Sequence, residues 1–254
     1  MKILIMGYGK IGTHIHKEFE SKNNEISIFD KYKKEYTSEE VFSKHFDATF
    51  ISVPTERNED GSVNTTEVFD AVNKALNCSD VVIIRSAIPV GTCESFNSDK
   101  VVISPEYYGT TQHAELCPNF AILGGKPKAR SKAVQIYQSV KKGDFRFIFT
   151  DWKTAELTKY VENTWLATKV TFCNEMYRIA KSMGIEYEEL RECWLADSRV
   201  NPSHTFVYEK TPYWDSHCLN KDIPGLINQC DKAGYDAEFI KSMWKCNYEF
   251  KNEK

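Results

Sequence analysis

The sequence predicts an α/β fold: a doubly wound parallel sheet over residues 1–150, followed by a helical domain over 151–254 that carries one long helix. Three observations carry this. Apolar runs of strand length alternate with helix-periodic segments as far as Thr150. A glycine-rich turn links the first run to the first helix. After Asp151 the apolar spacing changes to three- and four-residue steps sustained to Met183.

The first strand, "KILIM" (2–6), stops at "GYGKIG" (7–12), after which Ile11, Ile15 and Phe19 recur at helical spacing. "EISIFD" (25–30) is the second strand, so strand, glycine turn, helix and strand form one βαβ unit. Further strands are "ATFISV" (48–53), "DVVIIRS" (80–86), "KVVISP" (100–105), "FAILGG" (120–125) and "FRFIFT" (145–150), with helices at 65–77 and 128–142 between them. Such apolar, β-rich runs alternating with helices predict an open parallel sheet covered on both faces.

In the second domain Leu157, Val161, Trp165, Thr168, Phe172, Met176, Ile179 and Met183 describe one helical stripe. Trp165, Phe172 and Met176 read as core rather than as a cofactor box. Asp151 is the expected N-cap and Gly184 the terminating C′ glycine. A helix of about thirty residues is roughly 45 Å long. It therefore spans both halves or packs on a second subunit, which predicts a homodimer through this helix. Segments 186–197, 224–234 and 236–250 complete the helical part.

A formal charge of −3, with charges interspersed, gives no electrostatic case for a nucleic-acid partner. The N-terminal apolar run is too short for a signal peptide, and nowhere do eighteen apolar residues run together, so no membrane span is expected. The eight cysteines (78, 93, 117, 173, 193, 218, 230, 246) are scattered, with no CxxC pair and no Cys/His set at zinc spacing. They read as reduced thiols in a cytoplasmic protein with no metal. His204 and His217 read as surface or hydrogen-bonded histidines, and Arg199 as a side chain that reaches a substrate or a neighbouring subunit.

Gly7-x-Gly9-x-x-Gly12 follows a strand, opens a helix at Lys10 and Ile11, and meets Asp30 at the end of the second strand. This is the context of a Rossmann dinucleotide site. Gly7 permits the tight turn, Gly9 lets backbone approach a pyrophosphate, and Gly12 allows close helix–strand packing. Asp30 accepts from ribose hydroxyls and repels a 2′-phosphate, which favours NAD. Lys31, Lys33 and Lys34 stand next to it, where cations suit a 2′-phosphate.

Six further segments occur in a known order: "SVPT" (52–55), "SAIPVGT" (86–92), "SPEYYG" (104–109), "ILGG" (122–125), "AELTKYVENTWLATKVTFCNE" (155–175) and "CLNKD" (218–222). With them the chain resembles the UDP-glucose/GDP-mannose 6-dehydrogenase family from residue 1 to about 230. The resemblance implies oxidation of a nucleotide-sugar C6 alcohol to the acid with two NAD, through a cysteine thiohemiacetal and thioester. It implies Cys218 as nucleophile, Lys159 and Asn163 steadying the oxyanion, Asp222 activating or ordering water, and Glu106 as base in thioester hydrolysis. It also implies that Val53, Pro54, Thr55 and Ser86 join Gly7, Gly9, Lys10, Ile11, Gly12 and Asp30 at the cofactor. The residue types suit these roles: Lys159 and Asn163 are four apart on one helix face, a cation and an amide donor stabilise an oxyanion, and a cation near a thiol favours the thiolate.

Three features depart from the family's pattern. Asp215-Ser216 replaces a glycine pair before the cysteine, Ala87 replaces a threonine that holds water, and the sequence stops at Lys254 where family members continue into a second α/β domain that grips the nucleotide. A partner chain, a neighbouring subunit or a different substrate is the expected compensation. Two other readings stay open: a one-step dehydrogenase of hydroxyacid type with Lys159 as acid/base, and a non-catalytic NAD-binding module.

Overall fold

The computed structural model describes residues 1–110, 115–116 and 118–252, so Cys117 lies outside the described residues. The chain divides into two compact units. The first comprises Met1–Asn58 with Val63–Lys159, the second Glu59–Ser62 with Tyr160–Lys254.

In the first unit the order is β1 (Lys2–Met6), α1 (Lys10–Phe19), β2 (Glu25–Phe29), β3 (Ala48–Ile51), α2 (Thr66–Cys78), β4 (Val82–Ile84), a one-turn α3 (Thr92–Ser95) and β5 (Val101–Ile103). Then come two-residue strands β6 (Gly109–Thr110) and β7 (Glu115–Leu116), β8 (Phe120–Gly125), α4 (Pro127–Gln138) and β9 (Arg146–Thr150). Seven strands form one sheet in the order β2-β1-β3-β4-β5-β8-β9. The strands are parallel except where β8 runs against β5, with Ile103 opposite Gly124 and Val102 opposite Gly125. The sheet is therefore mostly rather than wholly parallel. A parallel neighbour needs a crossover, usually helical. Among the described residues between β5 and β8 there is only the small β6–β7 ladder, and β8 returns antiparallel. The α4 crossover then restores parallel pairing between β8 and β9.

Both faces of the sheet are covered, which is why its inner strands are continuous apolar runs. Ile3 and Ile5 of β1 face Ile15 and Phe19 of α1 and Ile136 and Tyr137 of α4. Leu4 and Met6 face the layer built on Val68, Val72 and Ala75 of α2. Because both pleats are packed, any register slip in β1 would expose as much as it buries.

Four helices account for most of the remaining chain: α5 (Trp152–Ser182), α6 (Tyr187–Leu195), α7 (His217–Lys232) and α8 (Glu238–Asn252). The second unit packs around Ala167, Trp214, Ile223 and Met243. Trp214 is fixed at three points. Its backbone N–H donates to Asn247 Oδ1, its carbonyl accepts from Asn247 Nδ2, and its indole N–H donates to Thr171 Oγ1, each at 2.9 Å.

Two helices correct the sequence reading. In α5 the apolar stripe is not core: Trp165 is 59% exposed, Phe172 52% and Val161 55%, with Met176 half-buried. The face that packs inside the chain carries Ala155, Tyr160, Ala167, Cys173 and Ala180, together with the polar Glu156, Asn163, Thr171 and Asn174. This face joins small and polar residues to the one large side chain Tyr160, while Val161, Trp165 and Phe172 are left outside. The helix α7 begins at His217 and runs through Pro224 rather than starting there. Ser216 is its N-cap, the hydroxyl accepting from Leu219 N at 3.2 Å. A proline inside a helix forfeits one backbone hydrogen bond, and this helix carries that cost at Pro224.

Candidate active site

The glycine turn sits at the C-terminal end of β1, where the next strand in sequence lies to one side and β3 to the other. In such sheets ligands bind at this switch point. Gly7 has φ of +86°, and a Cβ there would lie 2.6 Å from Ser52 O. A Cβ at Gly12 would lie 2.1 Å from Gly7 O, so these two glycines are required by the packing of the turn itself. Ser52 Oγ donates to Gly7 O at 2.8 Å and locks the arrangement. Gly9 differs: a Cβ there meets nothing within 4 Å. It is the N-cap of α1, with Lys10 and Ile11 in the first turn and no acidic residue there. Open space beside bare backbone, at the positive end of a helix dipole, fits the pyrophosphate of a dinucleotide.

Asp30 follows β2 and is 9% exposed. Its Oδ2 accepts from Tyr8 N at 2.7 Å and its Oδ1 from Tyr32 N at 2.9 Å. Each carboxylate oxygen has a second lone-pair site, so a ribose hydroxyl can still donate to it. Beside it, Lys31 Nζ meets Glu67 Oε1 at 2.5 Å, and Lys33 Nζ donates to Tyr8 O at 2.7 Å. Val53, Pro54 and Thr55 follow β3 and Ser86 follows β4, so all the predicted cofactor residues stand at C-terminal strand ends or at the start of α1. Ser86 Oγ donates to Val53 O at 2.7 Å and joins two of these segments. That bond commits the hydroxyl next to Ala87 to the backbone of the neighbouring loop.

Lys159 and Glu106 meet in the first unit. Lys159 Nζ lies 3.8 Å from Glu106 Oε1 and 4.9 Å from the centroid of the Tyr107 ring. Glu106 Oε2 also accepts from Tyr108 N at 3.0 Å. Lys159 is 8% exposed, so this is a largely desolvated cation and carboxylate at a separation that leaves the pair loose. Sequence reasoning missed Glu156, one turn before Lys159 in α5. Its carboxylate is 1% exposed and accepts from Gly91 N at 2.6 Å and from Cys93 N at 2.7 Å. Burial pushes the Glu156 carboxyl above its ordinary value even though both bonds favour the anion. The i, i+3 spacing to Lys159 was the signal that would have found it.

In the second unit Asn163 Nδ2 donates to Asp222 Oδ2 at 2.6 Å, and Lys221 Nζ lies 2.5 Å from Asp222 Oδ1. Asn163 is 5% exposed, Lys221 6% and Asp222 2%. The carboxylate is thus satisfied on both oxygens by an amide and a cation, the condition under which a buried charge is tolerated. Lys221 serves Asp222 rather than the thiol. Cys218 is exposed in the first turn of α7, one turn ahead of Asp222. The first turn of a helix is where a thiolate's charge is favoured. The two residues that replace glycines have structural work here. Ser216 caps the helix, while Asp215 accepts from Asn220 Nδ2 at 2.7 Å and pairs with Lys251 Nζ at 2.8 Å. Arg199 is paired with Asp197 at 2.5 Å, and His204 Nδ1 meets Ser203 Oγ at 2.6 Å. No group of three or more His, Cys, Asp or Glu able to hold a metal ion occurs among the described residues. No described helix is long and apolar enough to cross a membrane.

Comparison with known proteins matches two adjoining profiles of one family. Residues 33–141 match the NAD binding domain of the UDP-glucose/GDP-mannose dehydrogenase family, and residues 153–249 match its central domain. The UDP-glucose 6-dehydrogenase of Rickettsia prowazekii is 28% identical over 263 residues, an alignment covering 97% of this chain and 57% of that protein. The chain thus spans about half the length of the UDP-glucose 6-dehydrogenases it matches. A UDP-glucose dehydrogenase from Pyrobaculum islandicum superposes with a TM-score of 0.81 at 20% identity, covering 98% of this chain and 68% of that one. A UDP-D-ManNAc dehydrogenase from Pyrococcus horikoshii does so with 0.80 at 23%, covering 98% and 69%. At these identities the structures speak for the fold. Taken with the two profiles, matched in order along the sequence, they show that the chain belongs to the UDP-glucose/GDP-mannose dehydrogenase family and carries its NAD binding and central domains.

Proposed function

We propose that the chain oxidises the primary alcohol of a nucleotide sugar, or a related sugar, to a carboxylate with NAD. Residues 1–150 serve as the NAD-binding domain and 151–254 as the catalytic and dimerisation domain. The observation that carries the reading is the buried Asn163–Asp222–Lys221 cluster one helical turn from Cys218. An amide, a carboxylate and an ammonium buried together within one helical turn of an exposed thiol support a reactive role for it.

Bound NAD supplies the hydride acceptor. The first hydride leaves the alcohol carbon and its proton goes to solvent, giving an aldehyde. The Cys218 thiolate adds to that carbonyl, and Lys159 and the Asn163 amide steady the oxyanion of the thiohemiacetal. Loss of a second hydride, to a second NAD taken up after the first NADH leaves, would make the thioester. Water, ordered by Asp222 and deprotonated by Glu106, cleaves it to the acid and returns the thiol. Gly7, Gly9, Lys10, Ile11, Gly12 and Asp30, with Val53, Pro54, Thr55 and Ser86, would hold the first NAD and, once its NADH has left, the second.

The exposed α5 stripe supports a homodimer through that helix, and seven unbridged cysteines among the described residues support a reducing, cytoplasmic setting. The test is turnover of a panel of UDP- and GDP-sugars by the purified chain. Two NADH per acid formed is the expected stoichiometry; good NAD binding with no NADH from any sugar of the panel would sink the proposal.

A further inference from the structure

Three lysines, Lys31, Lys33 and Lys34, come just after Asp30, the acid proposed to meet the adenosine ribose. By sequence they suit a 2′-phosphate. The folded chain withdraws two of them. Lys31 Nζ sits 2.5 Å from Glu67 Oε1, and the Tyr32 hydroxyl donates to the same oxygen at 3.2 Å. Lys33 Nζ turns back to the Tyr8 carbonyl at 2.7 Å, its ammonium 5.2 Å from the centre of the Tyr8 ring. Glu67 lies in the first turn of α2, far from Lys31 in sequence.

We propose that Glu67 is a specificity-determining residue for the cofactor: by neutralising Lys31 beside Asp30, it lowers the positive charge at this end of the site and turns away the 2′-phosphate of NADP. The inference rests on the reading of the glycine turn as an NAD site and deepens it. A ribose hydroxyl is neutral and donates to Asp30, whereas a 2′-phosphate brings a charge of about −1.5 to −2. With Glu67 present, Asp30 and Glu67 both oppose that phosphate and the Lys31 ammonium is tied to Glu67. Without Glu67 one carboxylate remains and the ammonium is released. The Glu67 bond holds the Lys31 ammonium above its ordinary value, and a lysine without that bond is still charged near neutral pH.

The size of the effect follows from the setting. The Lys31 and Glu67 side chains are 41% and 26% exposed, so water screens them and the change is modest. Between exposed charges a few ångströms apart it amounts to about fivefold to tenfold in affinity. The test titrates NAD and NADP into the wild-type chain, Glu67→Gln, Lys31→Met and the double variant, following tryptophan fluorescence, with circular dichroism to show that each variant folds. Glu67→Gln should bind NADP about fivefold to tenfold tighter and NAD within about twofold of wild type, a gain that shrinks as salt rises. Adding Lys31→Met should remove most of that gain. An unchanged NADP-to-NAD ratio in Glu67→Gln, or a gain that survives in full without Lys31, overturns the inference alone. A wild-type chain that binds neither nucleotide overturns the NAD reading and the inference together.

Discussion

Replacing Trp165 by glutamate should separate the proposed dimer without unfolding the chain. Trp165 is 59% exposed, so its removal leaves no hole in the core of a single chain. An aromatic side chain buries roughly 150–250 Å². The exposed fraction, covered by a second copy at about 25 cal/mol per Å², contributes about 2–4 kcal/mol. A twofold interface uses the residue once in each protomer, so the total is about 4–7 kcal/mol. At 1.4 kcal/mol per decade the dissociation constant should rise by about three to five orders of magnitude. The substitution also sets two carboxylates into an apolar seam, which pushes in the same direction. Sedimentation velocity over a micromolar concentration range is the assay, with thermal unfolding as the control. A dimeric wild type and a monomeric, folded variant are expected. A monomeric wild type, or a variant that remains as dimeric as wild type, would refute the assignment of this helix to the interface.

Other outcomes follow from the site. Gly9→Ala should leave thermal stability nearly unchanged and weaken NAD binding, because its Cβ meets no protein atom within 4 Å. Gly12→Ala, whose Cβ would lie 2.1 Å from Gly7 O, should lower the melting temperature sharply; equal effects of the two substitutions on stability would contradict the packing argument. Glu156 has a carboxyl raised above its ordinary 4.5 by burial. The folded state therefore holds a proton more readily than the unfolded one, and the wild type should lose stability as pH rises from 4.5 through the raised value. Glu156→Gln should lack that slope in denaturant titrations across this range, and an identical slope in both proteins would show that another group sets it.

Much of the fold was legible because burial on both faces leaves a strong mark. Ile3, Leu4, Ile5 and Met6 of β1 are all essentially inaccessible, and such runs stand out from any alternating pattern. The glycine turn with Asp30 was legible for the same reason that it is constrained: backbone atoms press on Gly7 and Gly12 from within the turn. Strand direction was not, since the apolar run of β8 looks the same whichever way it lies beside β5. Periodicity found the α5 stripe but not its sense, because a helix that packs through alanines and buried polar groups turns its large apolar residues outward. The start of α7 was hidden by Pro224, which reads as a first-turn residue but sits mid-helix behind a Ser216 cap. Within the site, Asn163, Lys159 and Asp222 stood out as polar residues inside ordered motifs. Their true partners did not. Glu67 reaches Lys31, and Asp222 reaches Asn163, across long sequence separations that only the fold closes.

The central claim is that substrate becomes covalently attached to Cys218. Its most direct test is mass spectrometry of the Glu106→Gln variant after incubation with a turned-over nucleotide sugar and NAD. The account predicts an acyl adduct on the peptide carrying Cys218, accumulating because hydrolysis is slowed, and no adduct in Cys218→Ala. An unmodified Cys218 together with full two-NADH turnover by Cys218→Ala would contradict it.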